Sequence, residues 1–142
     1  MIAASRAYIK SQIQKCNADY LEIRDPFNDD GLSLSQIDRH YKLAFSNLST
    51  EAIGNFHTDV VDCSLEIYKK AGYDELADFD TLYDLAISVK NTILDPLFVK
   101  NSDAFSDIIF GGISPEPLPS NDKVFKILLT FQIRKDFDYQ GA

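Results

Sequence analysis

The run Lys123-Val124-Phe125-Lys126-Ile127-Leu128-Leu129-Thr130-Phe131-Gln132-Ile133-Arg134-Lys135 constrains the fold more than any other part of the chain. Phe125, Ile127, Leu129, Phe131 and Ile133 share one parity, and Lys126, Thr130, Gln132 and Arg134 share the other. Successive side chains of a strand point to opposite faces, so the run predicts one long strand with a dry face and a wet face. Such a strand needs neighbours at its sides and an apolar cover on its dry face.

Other segments repeat the pattern. Tyr20-Leu21-Glu22-Ile23-Arg24 alternates and stops at Asp25-Pro26, because proline lacks an N–H and restricts the residue before it. Tyr41, Leu43 and Phe45 alternate with Lys42 and Ala44, and in residues 58–69 Val61, Cys63, Leu65 and Ile67 alternate with Asp62, Ser64 and Glu66. Residues 105–113 read as a further strand, in which Gly111-Gly112 permit a bulge or sharp bend. Two stretches have helical spacing. Residues 2–16 carry a narrow stripe of Ile2, Ile9, Ile13 and Cys16. Residues 80–94 carry a broad one of Leu82, Leu85, Ala86, Val89 and Ile93, with Asp80 as N-cap and an end before Pro96. Residues 25–38 and 46–58 read as loops, residues 114–120 as a stiff proline-rich link, and residues 136–142 as a loose polar tail.

The expectation is an α+β fold: a mostly antiparallel sheet of four to five strands with two main helices packed on one face. A length of 142 residues fits a single domain, with a polar C-terminal tail from about residue 136.

Fourteen basic and 22 acidic residues give a net charge of −8, which disfavours wrapping of nucleic acid, since phosphate binding needs Lys and Arg clusters. Cys16 and Cys63 form no CxxC pair and have no histidine at metal spacing, so they read as small core residues of a reduced intracellular protein. No stretch has the roughly 18–20 consecutive apolar residues of a membrane span. The first residues lack the apolar core of a secretion signal.

No catalytic, cofactor or metal site is read from the residues. In the acidic stretch from Asp25 to Gly31, placing Gly31 at position 6 of a calcium loop puts Pro26 at position 1 and Ile37 at position 12, and neither can ligate through its side chain. His57 and Asp59 would share a strand face, yet no nucleophile elbow accompanies them. Asp80 and Asp84 share a helix face, where carboxylates near an N-terminus need no catalytic explanation. Apolar residues in the polar segments are Ile53 and Phe56 in 46–58, Leu118 in the proline-rich link, and Phe137 and Tyr139 in the tail. They either contact other chains or fold back on their own domain.

The order of elements resembles the tail terminator (tail completion) proteins of long-tailed bacteriophages, or a related head–tail joining protein. The resemblance runs from the N-terminal helix through His57-Thr58-Asp59-Val60-Val61-Asp62-Cys63-Ser64-Leu65-Glu66-Ile67-Tyr68, the Asp-rich turn, helix 80–94 and strand 107–113, to the ending Leu128-Leu129-Thr130-Phe131-Gln132-Ile133-Arg134-Lys135-Asp136-Phe137. It carries over no individual residue. It implies a non-enzymatic virion protein at the tail–neck junction, without cofactor or membrane. Copies would form a ring, commonly a hexamer, that caps the tail tube, meets the tube protein and the head connector, and lets DNA pass through its lumen unbound. An acidic protein that inhibits a host DNA-handling enzyme is the alternative from another class, though its acids would have to form a DNA-like row, and here they are scattered.

Overall fold

The computed structural model describes residues 1–23, 37–117 and 124–138. The acidic stretch from Asp25 to Gly31, Leu118 and Tyr139 lie outside the described residues. Helix α1 (Ile2–Cys16) leads into the short strand β1 (Leu21–Glu22). Strands β2 (His40–Ile53) and β3 (Phe56–Lys70) follow, then helices α2 (Glu75–Ile93) and α3 (Pro96–Lys100), and strands β4 (Asp107–Pro117) and β5 (Val124–Asp138). The sheet has five strands in the order β1-β2-β3-β5-β4. All neighbours are antiparallel except β1 and β2, which are parallel. The fold is the expected α+β arrangement.

Alternation decides which face is covered. The rows Tyr41–Ile67–Ile127, Leu43–Leu65–Leu129 and Phe45–Cys63–Phe131 follow from the strand registers. Most of these side chains join Ile9 and Ile13 of α1 and Leu82, Ala86, Val89 and Ile93 of α2 in one buried cluster. Each fully buried Ile, Leu or Val contributes roughly 1.5–3 kcal/mol relative to exposure. The other parity carries Lys42, Ser64, Glu66, Lys126, Thr130 and Gln132, and among the described residues no helix lies on it.

α1 meets this core with a narrow edge. Ser5, Ile9, Gln12 and Ile13 are buried, whereas Ile2 is exposed and Cys16 half-buried, which shifts the forecast stripe toward the middle of the helix. Polar contacts fix the helix. Arg6 pairs with Glu22, donates to the Leu43 carbonyl at 3.2 Å and lies 5.2 Å from the centre of the Phe45 ring. The Tyr8 hydroxyl donates to the Ile93 carbonyl at 2.7 Å, satisfying an oxygen that the end of α2 leaves without an intrahelical partner.

Four expectations need correction. Residues 46–58 are not a loop: β2 and β3 continue through them to a tight turn at Gly54-Asn55, with Gly54 at φ +60. The tail is not loose from residue 136, because Asp136, Phe137 and Asp138 pair with Thr58, His57 and Phe56. The link begins later than forecast, since Ser114 to Pro117 still pair with β5. The N-cap of α2 is Asp74, not Asp80: its carboxylate accepts from the Ala77 N–H at 3.1 Å, and Asp78 accepts from the Gly72 N–H at 2.6 Å. Asp74 has the extended backbone of a cap, with φ −111 and ψ 95, so the helix starts six residues earlier, at Glu75.

Gly111-Gly112 mark a bulge, as their sequence predicts, where the β4–β5 register shifts between Phe110 and Gly112. A second bulge falls on β2 between Ser46 and Ser49, with Asn47 at φ +56. The two bulges flank the rows through Cys63 and Asp62, so the sheet bends at one level on both sides.

Two substitutions test these assignments by urea midpoint. Asp74→Ala should cost about 1 kcal/mol and Asp80→Ala less than about 0.5 kcal/mol; the reverse order would restore Asp80 as the cap. A Cβ on Gly111 would stand 2.7 Å from Thr130 Oγ1 and 3.2 Å from its carbonyl, while one on Gly112 meets nothing within 4 Å. Gly111→Ala should therefore cost about 1–3 kcal/mol and Gly112→Ala roughly nothing. Equal costs would contradict the bulge packing.

Candidate functional site

Beyond the helices, β2, β3 and the end of β5 extend as a three-stranded arm. At about 3.3 Å per residue, the 15 residues of β3 span roughly 45 Å. Side-chain bonds replace the missing core along the arm. Thr50 donates to Asp59 and Thr58 to Asp136, each at 2.7 Å, and Arg134 bonds Glu51 at 2.8 Å. The Lys135 ammonium donates to the Asp103 carbonyl at 2.7 Å.

The end of the arm carries three of the sequence-predicted residues. Ile53 and Phe56 face each other across the turn and are 82% and 61% exposed. Phe137 is opposite His57, and their rings stack at 4.9 Å with 13° between the planes. Because adjacent strand positions point oppositely, Phe137 lies on the other face of the arm from Phe56. Asp59 accepts from the Thr50 hydroxyl, and His57 stacks on Phe137.

The bend at the bulges makes a concavity of about 490 Å³ on the uncovered face. Ser46, Asp62, Ser64, Thr130 and Gln132 supply its polar lining, with Ile109 at one side. Asp62 accepts from the Asn47 amide at 3.3 Å. Further along the same face, Lys126 sits between Glu66 at 3.2 Å and Glu116 at 3.3 Å. Burial pulls this ammonium's pKa down, but the two carboxylates outweigh that and raise it. The polar parity of β5 was legible in the sequence. The concavity was not, because it needs the β2 bulge at Asn47, which no residue pattern announces.

The remaining chemistry is quiet. Burial pushes Tyr8, Tyr20 and Tyr41 up to about 12, so none of them offers a proton near neutral pH. Among the described residues no group of three or more His, Cys, Asp or Glu side chains converges to hold a metal ion. No helix of the described residues is long and apolar enough to cross a membrane.

No protein-family model matches the chain, and no curated protein does. A solved structure described as the virion of a native gene transfer agent particle contains a chain that superposes with a TM-score of 0.60 at 13% identity. The match covers 92% of this chain and 93% of that one. At this identity the likeness is one of fold.

The two cysteines provide a check on the core. Burial drives the Cys63 thiol up to about 12, with Arg6 opposing more weakly. Only about one part in 10⁴ is thiolate at pH 8. Cys16 is half-buried, 3.3 Å from the Thr92 hydroxyl. A thiol reagent at pH 8 should label Cys16 in the native protein and Cys63 only on unfolding, as read by mass spectrometry. Equal labelling of both in the native state would place Cys63 outside the core.

Proposed function

We propose that residues 1–142 form one domain that serves as a structural, non-catalytic virion protein at the tail–neck junction. It is a tail terminator that closes the end of the tube as a ring of six copies and presents a face to the head connector. The observation that carries this reading is the fold likeness to a virion chain over nearly the full length of both. A related head–tail joining protein of the same region draws on the same likeness.

The uncovered sheet face suits a lumen through which DNA passes without being gripped. On the described part of that face, Lys126 lies between two glutamates and Arg134 is bonded to Glu51, so these cations are engaged by acids rather than offered to phosphate. A net charge of −8 per copy repels a polyanion and multiplies around a ring. Ile53, Phe56 and Phe137 at the arm end, with Leu118 and Tyr139, are the contacts proposed with the tube protein or the connector.

Light scattering across protein concentrations and imaging of the largest species test the ring. Addition to tubes assembled from the tail-tube protein of the same virus tests capping. The wild-type chain should form rings and halt tube growth. The double substitution Ile53→Ser with Phe56→Ser should weaken capping more than tenfold with little change in thermal midpoint. A chain that never forms rings and leaves tube length unchanged defeats the reading.

A further inference from the structure

Among the described residues, the two edges of the sheet are closed over one half of their length and open over the other. On β2, the Leu21 N–H donates to the Arg39 carbonyl at 3.1 Å and the Ile23 N–H to the Tyr41 carbonyl at 2.8 Å. Odd residues at the start of β2 therefore turn their backbone groups away from β3, since residues of an antiparallel pair alternate in bonding direction. Arg6 takes the next outward carbonyl, that of Leu43. Beyond it Phe45 points outward, and after the one-residue bulge so do Thr50 and Ala52. Among the described residues no strand pairs with this side of β2 past Tyr41.

The same alternation carried across β3 and β5 reaches β4. Asp107, Ile109, Gly112, Ser114 and Glu116 turn toward β5, and Ile108, Phe110, Ile113, Pro115 and Pro117 turn outward. Both prolines thus occupy positions whose N–H would point off the sheet, so that half of the edge cannot donate to another strand. The Ile108 N–H is held by the Asp107 carboxylate at 2.8 Å. Phe110 and Ile113 keep outward groups with no partner strand among the described residues.

We propose that neighbouring copies join by strand pairing, the open half of the β2 edge in one copy against the open half of the β4 edge in the next. This rests on the ring reading. On β4 the open positions Phe110 and Ile113 are level with Phe45 and Leu43 of β2, and the open stretch of β2 begins at Phe45 and runs on into the arm. Because β2 opposes β3, β3 opposes β5 and β5 opposes β4, β4 runs antiparallel to β2. A rotated copy therefore continues the antiparallel alternation without a break. The two edges differ, so the contact is heterologous, closes by rotation and covers the open halves. Each edge also carries an exposed apolar side chain, Leu48 at 62% on β2 and Ile109 at 45% on β4, placed to be covered by the joint.

Hydrogen exchange resolved to single amides, on the full chain as monomer and as ring, tests the pairing. The Thr50, Ala52, Phe110 and Ile113 amides should exchange at least tenfold more slowly in rings, with inward amides unchanged. Thr50→Pro and Ala52→Pro remove outward backbone donors, as Pro115 and Pro117 do naturally, and Thr50→Pro also removes the hydroxyl bond to Asp59. They should keep the far-UV circular dichroism of the wild type and lower ring yield at least tenfold, and Ile113→Pro should do the same from the other edge. Rings whose outward amides exchange freely overturn the pairing and leave the ring reading standing. Protection that appears only on adding the tube protein assigns the edge to that chain and likewise overturns it. A wild-type chain monomeric at every concentration overturns self-pairing, and its effect on tube length then decides the capping reading separately.

Discussion

β3 and β5 pair residue for residue from Phe56 with Asp138 to Lys70 with Val124, and every other element takes its place from that ladder. The two central strands share one parity, so Cys63, Leu65 and Ile67 meet Phe131, Leu129 and Ile127 on one face. A slip of one residue would turn this entire set into water and bring Glu66, Thr130 and Gln132 under the helices. The cost of burying those polar groups unpaired, several kcal/mol in sum, holds the register more firmly than any single contact. β2 and β4 then add at the flanks, and α1 and α2 lie where the ladder is dry.

The same ladder explains which parts of the fold the sequence announces. Where the strands run over the core, one face is apolar, and the period of two is visible at Tyr41, Leu43, Val61 to Ile67 and Phe125 to Ile133. Beyond the helices both faces of the arm meet water. Ser49, Thr50, Glu51 and Ala52 therefore show no alternation and read as loop, although their backbones pair as regularly as any. Strand pairing there is set by continuity with the paired strands and by bonds such as Thr50 to Asp59, which depend on partners distant in sequence. The cap of α2 was hidden for a local reason. Asp74, Asp78 and Asp80 are equivalent as symbols, and only the turn at Gly72 decides which one meets a free N–H.

Of the candidate site, the exposed apolar residues were legible because hydrophobic side chains in polar surroundings stand out. Their meeting at one end was not, since it follows from β2 and β5 both reaching the tip of β3. The edges were least legible. Pro115 and Pro117 read as a stiff link, yet they lie within a strand at the outward parity, where the missing N–H leaves every bond to β5 intact. Proline at the inward parity would have removed ladder bonds, so alternation that is invisible in the side chains is written in the backbone chemistry.

Burial is spread unevenly along the 45 Å of the sheet, and this bears on what the arm is for. Under α1 and α2 the strands are stabilised on one whole face, whereas Ile53 and Phe56 at the tip gain almost nothing from their own chain. A monomer that only had to be stable would dispense with the last turns of the hairpin, because ordering each residue costs roughly 1–2 kcal/mol of backbone entropy. The arm offsets that cost with paired backbone and polar side-chain bonds and keeps apolar groups exposed at its end. In the proposed ring those groups and the open stretch of β2 lie at the same end of the molecule. Contacts made in assembly would then supply burial where the isolated chain has least, coupling order in the arm to the formation of the particle.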